Sequence, residues 1–401
     1  MYSMYGMYDL MSGGKTTMKK STMNKLLVAL VATGVVAAAQ AADIKIGVAE
    51  ALTGGAAQYG IAIRNGFELA AEQINAAGGV NGNKLQLVIE DEQGKKDEAI
   101  NVFKKLIFEN KVLMVFGPTL SNSAQAADPI AQASKTVAFG TSNTADGITS
   151  IGNYVFRNSV TEADVLPETI KVAAKHTGLK KVAIMYGNDD VFTKSGYDNF
   201  KKALADLKIP VTATETFSKG DVDFKAQLTK IKATHPDALV LSALIAEGAP
   251  IMVQAHQVGL NVPFIGGNGM NSVKVFDLAK GNSDNLWVGS PWSIDNQTPE
   301  NQQFTAAYKA KFKMAPDQFA AQAYDAMHIA VQAMKQVKFT GNLQAERTAL
   351  RDALPAIKWT GATGPFAFRE AKGRGGKPAG YDALQKPIIS VTKDGHYTIE
   401  K

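Results

Sequence analysis

The chain has 401 residues, of which 45% are hydrophobic and 20% are charged, and its formal net charge is +6. Four lysines and one aspartate within residues 1–41 supply half of that charge, so the remainder is nearly balanced and no nucleic-acid partner is expected. Cysteine is absent, which excludes disulfides, cysteine-based metal sites and a lipidated N-terminal cysteine. The length predicts two or three domains.

Residues 18–41 have the three parts of a secretory signal peptide. A segment with three lysines precedes an apolar run of 14 residues over 26–39, and the small-x-small sequence Ala39-Gln40-Ala41 follows. The apolar run is shorter than the roughly 20 residues that span a bilayer, so a membrane anchor is not favoured. We expect cleavage after Ala41 and a freely soluble exported protein. Residues 1–17 fit no part of a signal peptide and are interpreted as an N-terminal extension.

Short β-rich runs alternate with amphipathic segments of about 12 to 18 residues after Ala42. The first series of runs comprises residues 44–49, 85–91, 112–117 and 136–140. A second series comprises residues 180–187, 211–217, 237–244, 262–267 and 285–291. Between the two series, residues 154–164 break the pattern. The alternation predicts an α/β fold with two doubly wound lobes, each a parallel sheet with helices on both faces.

The last hundred residues depart from this rhythm. From Pro299, two segments space their apolar residues three and four apart, which predicts a pair of helices that pack back on the first lobe. Residues 369–382 are predicted to form a solvated loop. Two β-rich segments around Lys393-Asp394-Gly395 predict a closing hairpin.

Recognisable catalytic and cofactor motifs are not found. The glycine-rich turn after the first strand, "LTGGAAQYG", lacks the spacing of a dinucleotide-binding fingerprint, and no P-loop is present. The five histidines are scattered singly, and no serine lies in a nucleophile elbow. Acidic residues 90–92 and 189–190 are interpreted as solvated strand ends. We therefore expect no enzyme, no cofactor and no metal site.

Two neighbouring strand ends carry small hydroxyl and amide groups instead. "FGPTLSNSAQAAD" places Ser121 at the start of a helix, where the unpaired N–H groups of the first turn suit a carboxylate. Ser121 either caps this helix alone or caps it and binds a ligand. "FGTSNTADGIT" adds Thr141, Ser142, Asn143 and Thr144. Ligands bind beyond the carboxyl ends of strands in open α/β sheets, so these segments predict a small polar binding site rather than a reaction centre.

The chain resembles the periplasmic solute-binding proteins of branched-chain amino-acid ABC transporters, of the leucine/isoleucine/valine-binding type. The resemblance covers residues 43–401 and rests on "IKIGVAEALTGGAAQYG", "GFELAAEQINAAGGVNGNKLQLVIEDEQ", "VFGPTLSNSAQAAD", "KKVAIMYGNDDVFTKSGYDNFKKAL", "DFKAQLTKIKATHPDALVLSA" and "TGPFAF". It implies a type I periplasmic binding fold with a ligand cleft between the lobes and three hinge crossings near Val160, Trp292 and Leu384. The first lobe would comprise residues 42–160 and 293–384, and the second lobe 161–292 and 385–401.

The resemblance also implies roles for individual residues. In the first lobe, Ser121 would hold the ligand carboxylate together with Thr141, Asn143 and Thr144, and Tyr59 would project from the glycine-rich turn toward the ligand side chain. The second lobe departs from the family pattern, because a tyrosine is often found at the position of Phe192 and, in the amino-acid binders, another near Leu244. Asn268 occupies the position at which amino-acid binders commonly have a glutamate that pairs with the α-ammonium.

The loss of that glutamate leaves two interpretations of the ligand. Glu247 could restore the negative charge, which would fit a branched-chain or other apolar amino acid. Otherwise the ligand is a carboxylate without an ammonium, such as an aromatic or keto acid, and Trp292 and Tyr324 line an apolar compartment or simply pack within the lobes. We predict a monomeric periplasmic protein that delivers a small carboxylate to an ABC permease of the inner membrane. A sensory ligand-binding module and an exported enzyme using Asp189, Asp190 or Glu247 are the alternatives.

Overall fold

The computed structural model describes residues 43–400, except Arg374 and Lys377. The predicted N-terminal extension and signal peptide, residues 1–41, lie outside the described residues. Within the described part of the chain, no helix is both long and apolar enough to cross a membrane.

Strands and helices alternate along most of the chain. The described strands are β1 (Ile44–Glu50), β2 (Leu85–Asp91), β3 (Met114–Phe116), β4 (Val137–Gly140), β5 (Val155–Arg157), β6 (Val182–Gly187), β7 (Val211–Phe217), β8 (Ala238–Ser242), β9 (Phe264–Gly266), β10 (Leu286–Ser290), β11 (Lys358–Gly361), β12 (Gly364–Glu370), β13 (Tyr381–Leu384), β14 (Ile388–Lys393) and β15 (His396–Glu400). The described helices are α1 (Ala57–Ala76), α2 (Lys96–Lys104), α3 (Ser121–Ala133), α4 (Glu162–Thr177), α5 (Val191–Asp206), α6 (Lys225–Ala233), α7 (Ile245–Gln257), α8 (Lys274–Leu278), α9 (Pro299–Phe312), α10 (Gln318–Met334) and α11 (Leu343–Ala353). A π-helical turn, Lys105–Glu109, extends α2.

The first sheet has the strand order β11-β12-β13-β5-β4-β3-β1-β2. Strands β2, β1, β3, β4, β5 and β13 pair in parallel, whereas β12 pairs antiparallel with both β13 and β11. Two details differ from the sequence predictions. The segment 154–164, read as a break, contains β5, and the predicted loop 369–382 is shortened because β12 continues to Glu370 and β13 begins at Tyr381.

The second sheet has the strand order β15-β14-β10-β9-β8-β6-β7. Strands β6 to β10 pair in parallel, and β14 adds antiparallel to β10. The predicted terminal hairpin is confirmed, because β14 and β15 pair antiparallel with Lys393 opposite His396. The prediction of two parallel-dominated sheets in an α/β fold is thus confirmed, with antiparallel strands added at the edges.

The chain passes between the two sheets three times. It leaves the first sheet after β5, returns to it between β10 and β11, and leaves it again between β13 and β14. We call the part built around the first sheet the first lobe and the part built around the second sheet the second lobe. The exact lobe boundaries near Val160, Trp292 and Leu384 stay predictions.

The helix pair after the second crossing packs on the first lobe, as predicted. Helix α10 lies along α1, and Gly66 makes their close approach possible. A Cβ atom at Gly66 would lie only 2.3 Å from the carbonyl oxygen of Ala320. On the first sheet, the rings of Phe67, Phe116 and Phe139 form a continuous buried row, tilted against one another, with centroids 4.4 and 5.5 Å apart. This packing fixes α1 and α10 above the strand ends that surround the site.

Candidate functional site

A small cavity lies between the lobes, beyond the carboxyl ends of β3, β4, β8 and β9. The first lobe contributes six lining residues, which are Tyr59, Thr119, Leu120, Ser121, Ser142 and Phe319. The second lobe contributes four, which are Phe192, Leu244, Asn268 and Gly269. This is where open α/β sheets place their ligands, because the loops of several strands converge there.

Glycines let the backbone come close at the cavity wall. A Cβ atom at Gly60, on the first turn of α1, would lie 2.1 Å from the carbonyl oxygen of Ala51. Gly117 has a φ of 109°, and a Cβ atom there would lie 2.1 Å from the carbonyl oxygen of Ala49. The glycine-rich turn after β1 therefore serves close packing of α1 against the strand end.

Asn143 holds the loop after β3 instead of facing the cavity. Its Nδ2 donates to the carbonyl oxygens of Pro118, at 2.7 Å, and Thr119, at 3.2 Å. The hydroxyl of Ser142 also donates to the Thr119 carbonyl, at 2.6 Å. These bonds fix the path of the chain into Ser121, so Asn143 acts on the site by positioning its neighbours.

The start of α3 supplies hydrogen-bond donors at one side of the cavity. Leu120 occupies the N-cap position, and no side chain caps the first turn, so the prediction that Ser121 caps this helix is wrong. The Ser121 hydroxyl instead accepts a long bond of 3.4 Å from the Ala145 N–H. Nearby, the Thr141 hydroxyl is buried and has no hydrogen-bond partner within the described residues. An uncapped helix start and a spare hydroxyl suit an anionic group.

Thr144 and Glu162 form a buried pair just outside the cavity lining. The Thr144 hydroxyl donates to Glu162 Oε1 at 3.0 Å, and both residues are almost fully buried. Burial raises the pKa of Glu162 to about 8 despite the hydrogen bond from Thr144. At neutral pH this carboxyl is therefore mostly protonated.

Tyr59 connects the two lobes across the cavity. Its hydroxyl accepts from the Ile245 N–H and donates to the Gly269 carbonyl oxygen, both at 2.7 Å. Its ring lies 4.8 Å, centroid to centroid, from that of Phe319. Burial is the main reason that the pKa of Tyr59 is raised, so the hydroxyl stays protonated.

Polar contacts also join the lobes at the rim of the cavity. Asn122 accepts from the Val191 N–H at 2.9 Å and donates to the carboxylate of Asp190. On another side, Lys219 Nζ donates to the Gly94 carbonyl oxygen at 3.2 Å. These bonds, together with those of Tyr59, hold the lobes in a closed arrangement.

Asn268 belongs to a chain of side-chain amides that crosses the cleft. Its Nδ2 lies 3.4 Å from the Ser142 carbonyl oxygen, and its Oδ1 accepts from Gln318 Nε2. Gln318 Oε1 in turn accepts from Asn271 Nδ2 at 2.7 Å. Residue 268 thereby contacts both lobes.

The structure brings together half of the sequence-predicted residues. Tyr59, Ser121, Phe192, Leu244 and Asn268 line the cavity, whereas Thr141, Asn143, Thr144, Glu247 and Trp292 do not. Their roles in ligand binding stay predictions. Ser142 had a sequence signal as part of the polar strand end, but Phe319 had none, because its position depends on how α10 packs against α1.

Three residues considered above for the ammonium or the apolar part of the ligand form hydrogen bonds within the protein instead. Glu247 Oε1 accepts from the Gly220 N–H at 3.0 Å. Trp292 Nε1 donates to Asn301 Oδ1 at 2.6 Å. The Tyr324 hydroxyl donates to Gln73 at 2.7 Å. The apolar compartment expected from Trp292 and Tyr324 is therefore formed by Tyr59, Leu120, Phe192, Leu244 and Phe319 instead.

The fold agrees with comparisons to known proteins. A family model described as periplasmic binding protein matches residues 43–380. The chain belongs to this family. The leucine-, isoleucine-, valine-, threonine- and alanine-binding protein of Pseudomonas aeruginosa is 30% identical over 357 residues, which are 88% of this chain and 94% of the relative. The Leu/Ile/Val-binding protein of Escherichia coli is 28% identical over 277 residues, 68% of this chain and 74% of the relative.

Solved structures show that proteins similar to this chain have the same fold. The branched-chain amino-acid transporter substrate-binding protein LivJ from Streptococcus pneumoniae, in complex with isoleucine, aligns with a TM-score of 0.81 and 28% identity over 90% of this chain and 98% of that one. A solute-binding protein of an ABC transporter from R. palustris, in complex with benzoate, aligns with a TM-score of 0.78 and 24% identity. The alignment covers 89% of this chain and 95% of the benzoate-bound protein. This second likeness concerns the fold alone. The predicted family, a branched-chain type of periplasmic solute-binding protein of ABC transporters, is confirmed.

Proposed function

We propose that this periplasmic binding protein holds a small apolar monocarboxylate in the interlobe cavity and delivers it to an ABC permease of the inner membrane. The observation that carries the proposal is the division of the cavity into two sides. Ser121 and the uncapped start of α3 offer donors on one side, and five apolar or aromatic side chains line the rest. A carboxylate would bind at the donors and an aliphatic group would fill the apolar side.

Relatives of this chain narrow the ligand. Three of the four proteins named above are named for branched-chain amino acids or bound to one, and the fourth holds benzoate. Leucine, isoleucine and valine, or carboxylates with the same carbon skeletons, are therefore the first candidates.

The remaining parts of the proposal concern export and movement. Residues 18–41 would direct export and be removed after Ala41, and the mature protein would act as a monomer that binds its solute without turnover. The passages between the sheets near Val160, Trp292 and Leu384 would form the hinge about which the lobes open. Mass spectrometry of the periplasmic protein would test the cleavage site, and recovery of an unchanged solute after long incubation would test the absence of turnover.

The decisive experiment is a thermal-shift screen of the mature protein. The panel contains leucine, isoleucine, valine, their 2-oxo counterparts and benzoate. A ligand at 100 times its Kd stabilises the native state by about 2.7 kcal/mol, which raises the Tm by a few degrees. Stabilisation by at least one branched aliphatic carboxylate is expected, and a Ser121→Ala variant should lose most of it. If no member of the panel raises the Tm, the proposed function is wrong.

A further inference from the structure

The cavity has no counter-charge for an ammonium group. All ten lining residues are uncharged. Glu247 is engaged by the Gly220 N–H, and the positive charge of Lys219 acts on it. Glu162 does not line the cavity, and its Oε1 accepts from the Thr144 hydroxyl at 3.0 Å. An α-ammonium that moved from water into this cavity would lose its hydration without gaining an ionic partner, which is unfavourable.

The direction of the amide chain determines which atom Asn268 offers to the cavity. The chain ends on the Ser142 carbonyl oxygen, which can only accept a hydrogen bond, so the group of Asn268 that faces it must be the Nδ2 donor. Oδ1 of Asn268 is then occupied by Gln318 Nε2, and Gln318 Oε1 by Asn271 Nδ2. Reversing any one amide would place two donors or two acceptors against each other.

Asn268 therefore has a spare N–H on the side of Nδ2, and its Oδ1 already accepts from Gln318. Its bond to the Ser142 carbonyl is long, at 3.4 Å, and no other acceptor within the described residues takes the second N–H of Nδ2. The residue lies on the cavity lining next to Ser142, on the opposite lobe. A ligand oxygen in the cavity would accept this hydrogen bond, whereas an ammonium would meet a donor.

Resting on the proposed function, we infer that the ligand is a branched aliphatic 2-oxo acid rather than the corresponding amino acid. The carboxylate binds at Ser121 and the start of α3, and the 2-oxo oxygen accepts from Asn268 Nδ2. Gln318 is a positioning residue, because it fixes the Asn268 amide without lining the cavity.

Calorimetric titration of 4-methyl-2-oxopentanoate and leucine tests the inference. The wild-type protein should bind the 2-oxo acid at least 10-fold more tightly than leucine. In Gln318→Glu, a carboxylate replaces the amide that donates to Asn268 Oδ1, which frees this oxygen as an acceptor and brings a negative charge beside it. The ratio of the two Kd values should then shift toward leucine by at least 10-fold. Asn268→Asp should shift it in the same direction. Gln257→Glu, which adds one negative charge at an exposed position of the second lobe, should leave it unchanged.

Each outcome separates the inference from the proposed function. Tighter binding of leucine by the wild type would overturn the inference and leave the proposed function standing. A 2-oxo acid preference that neither Gln318→Glu nor Asn268→Asp alters would overturn the role of the amide chain. Failure of both ligands, and of the rest of the panel, to bind would overturn the proposed function itself.

Discussion

The hydroxyl of Tyr59, on the first lobe, accepts a hydrogen bond of 2.7 Å from the main-chain N–H of Ile245, on the second lobe. The same hydroxyl donates to the Gly269 carbonyl, so one side chain makes two bonds across the cleft and also lines the cavity. Closure of the lobes and contact with the ligand are therefore coupled through a single residue. Loss of the hydroxyl should affect closure without removing the aromatic surface.

Tyr59→Phe is expected to weaken ligand binding by about 5- to 150-fold. Each intramolecular hydrogen bond contributes about 0.5 to 1.5 kcal/mol, and both bonds exist only when the lobes are closed. Titration calorimetry would measure the affinity, and small-angle scattering should show a larger radius of gyration for the unliganded variant. Tyr397→Phe is the matched control, because the Tyr397 hydroxyl makes its two bonds, to Met270 and Ser272, within one lobe. An equal loss of affinity in both variants would contradict the role given to Tyr59.

Gly66→Ala is expected to destabilise the protein by about 1 to 3 kcal/mol. The added Cβ atom would lie 2.3 Å from the Ala320 carbonyl oxygen, a main-chain atom that can move only if α10 moves away from α1. Urea unfolding would measure the loss. Gly55→Ala is the control, because nothing lies within 4 Å of its Cβ position, and its stability should remain within about 0.5 kcal/mol of wild type. A stable Gly66→Ala variant would mean that the two helices are less tightly packed.

The sequence was sufficient to predict most of the parallel strands and the closing hairpin, but not the short interior strand β5. Strands β1, β2, β6 and β7 are six or seven residues long, and their apolar runs were recognised directly. Strand β5 has only three residues, too few for a periodic pattern. Its assignment depends on pairing with β4 and with β13, which lies more than 200 residues away in the chain. Such distant pairings leave no local signal.

In the candidate site, too, the sequence predicts residues that have a local signal but not side-chain contacts between distant segments. Ser121 and Ser142 can be predicted as site residues because they are small polar residues that follow the ends of strands. Glu247 was a reasonable substitute for a missing glutamate, but its carboxylate is taken by the Gly220 N–H of a neighbouring loop. The direction of the Asn268 amide could not be read from the sequence, since it depends on Gln318, 50 residues further on. Side-chain partners of this kind are set by tertiary packing.

Glu162 is expected to make the protein less stable as the pH rises from about 5 to 8. Burial raises its pKa in the folded state to about 8, above the usual value of 4.5 for a glutamate, so the folded protein holds this proton more tightly than the unfolded chain. The stabilisation is complete below the unfolded pKa and is lost as the pH rises through the folded pKa, with a slope of at most about 1.4 kcal/mol per pH unit. The charge of Asp146 strengthens the shift and that of Arg157 opposes it.

Glu162→Gln removes this titration while retaining an acceptor for Thr144. The difference in unfolding free energy between the variant and the wild type should therefore grow in favour of the variant as the pH rises through that window. Parallel urea titrations at pH 5, 6, 7 and 8 would measure it. A constant difference over the whole range would show that Glu162 is ionised at neutral pH, and an ammonium ligand would then regain a possible partner behind Thr144.

Arg157→Met is expected to cost about 3 to 5 kcal/mol of stability, because it leaves Asp382 buried without its cation. The two side chains are 2.7 Å apart and Arg157 is only 2% exposed. Arg157 Nη1 also donates to the carbonyl oxygens of Asn143, at 2.9 Å, and Ala145, at 2.8 Å, so it supports the polar loop that carries Ser142. Ligand affinity should therefore fall together with stability.

Arg369→Met provides the comparison for that prediction. Arg369 pairs with Asp164, but both side chains are about one third exposed, and such pairs contribute about 0 to 1 kcal/mol. Chemical denaturation should therefore separate the two variants by at least about 2 kcal/mol, and calorimetry should show reduced ligand affinity only for Arg157→Met. Equal effects of the two substitutions would contradict the stabilising role given to the buried pair of Arg157 and Asp382.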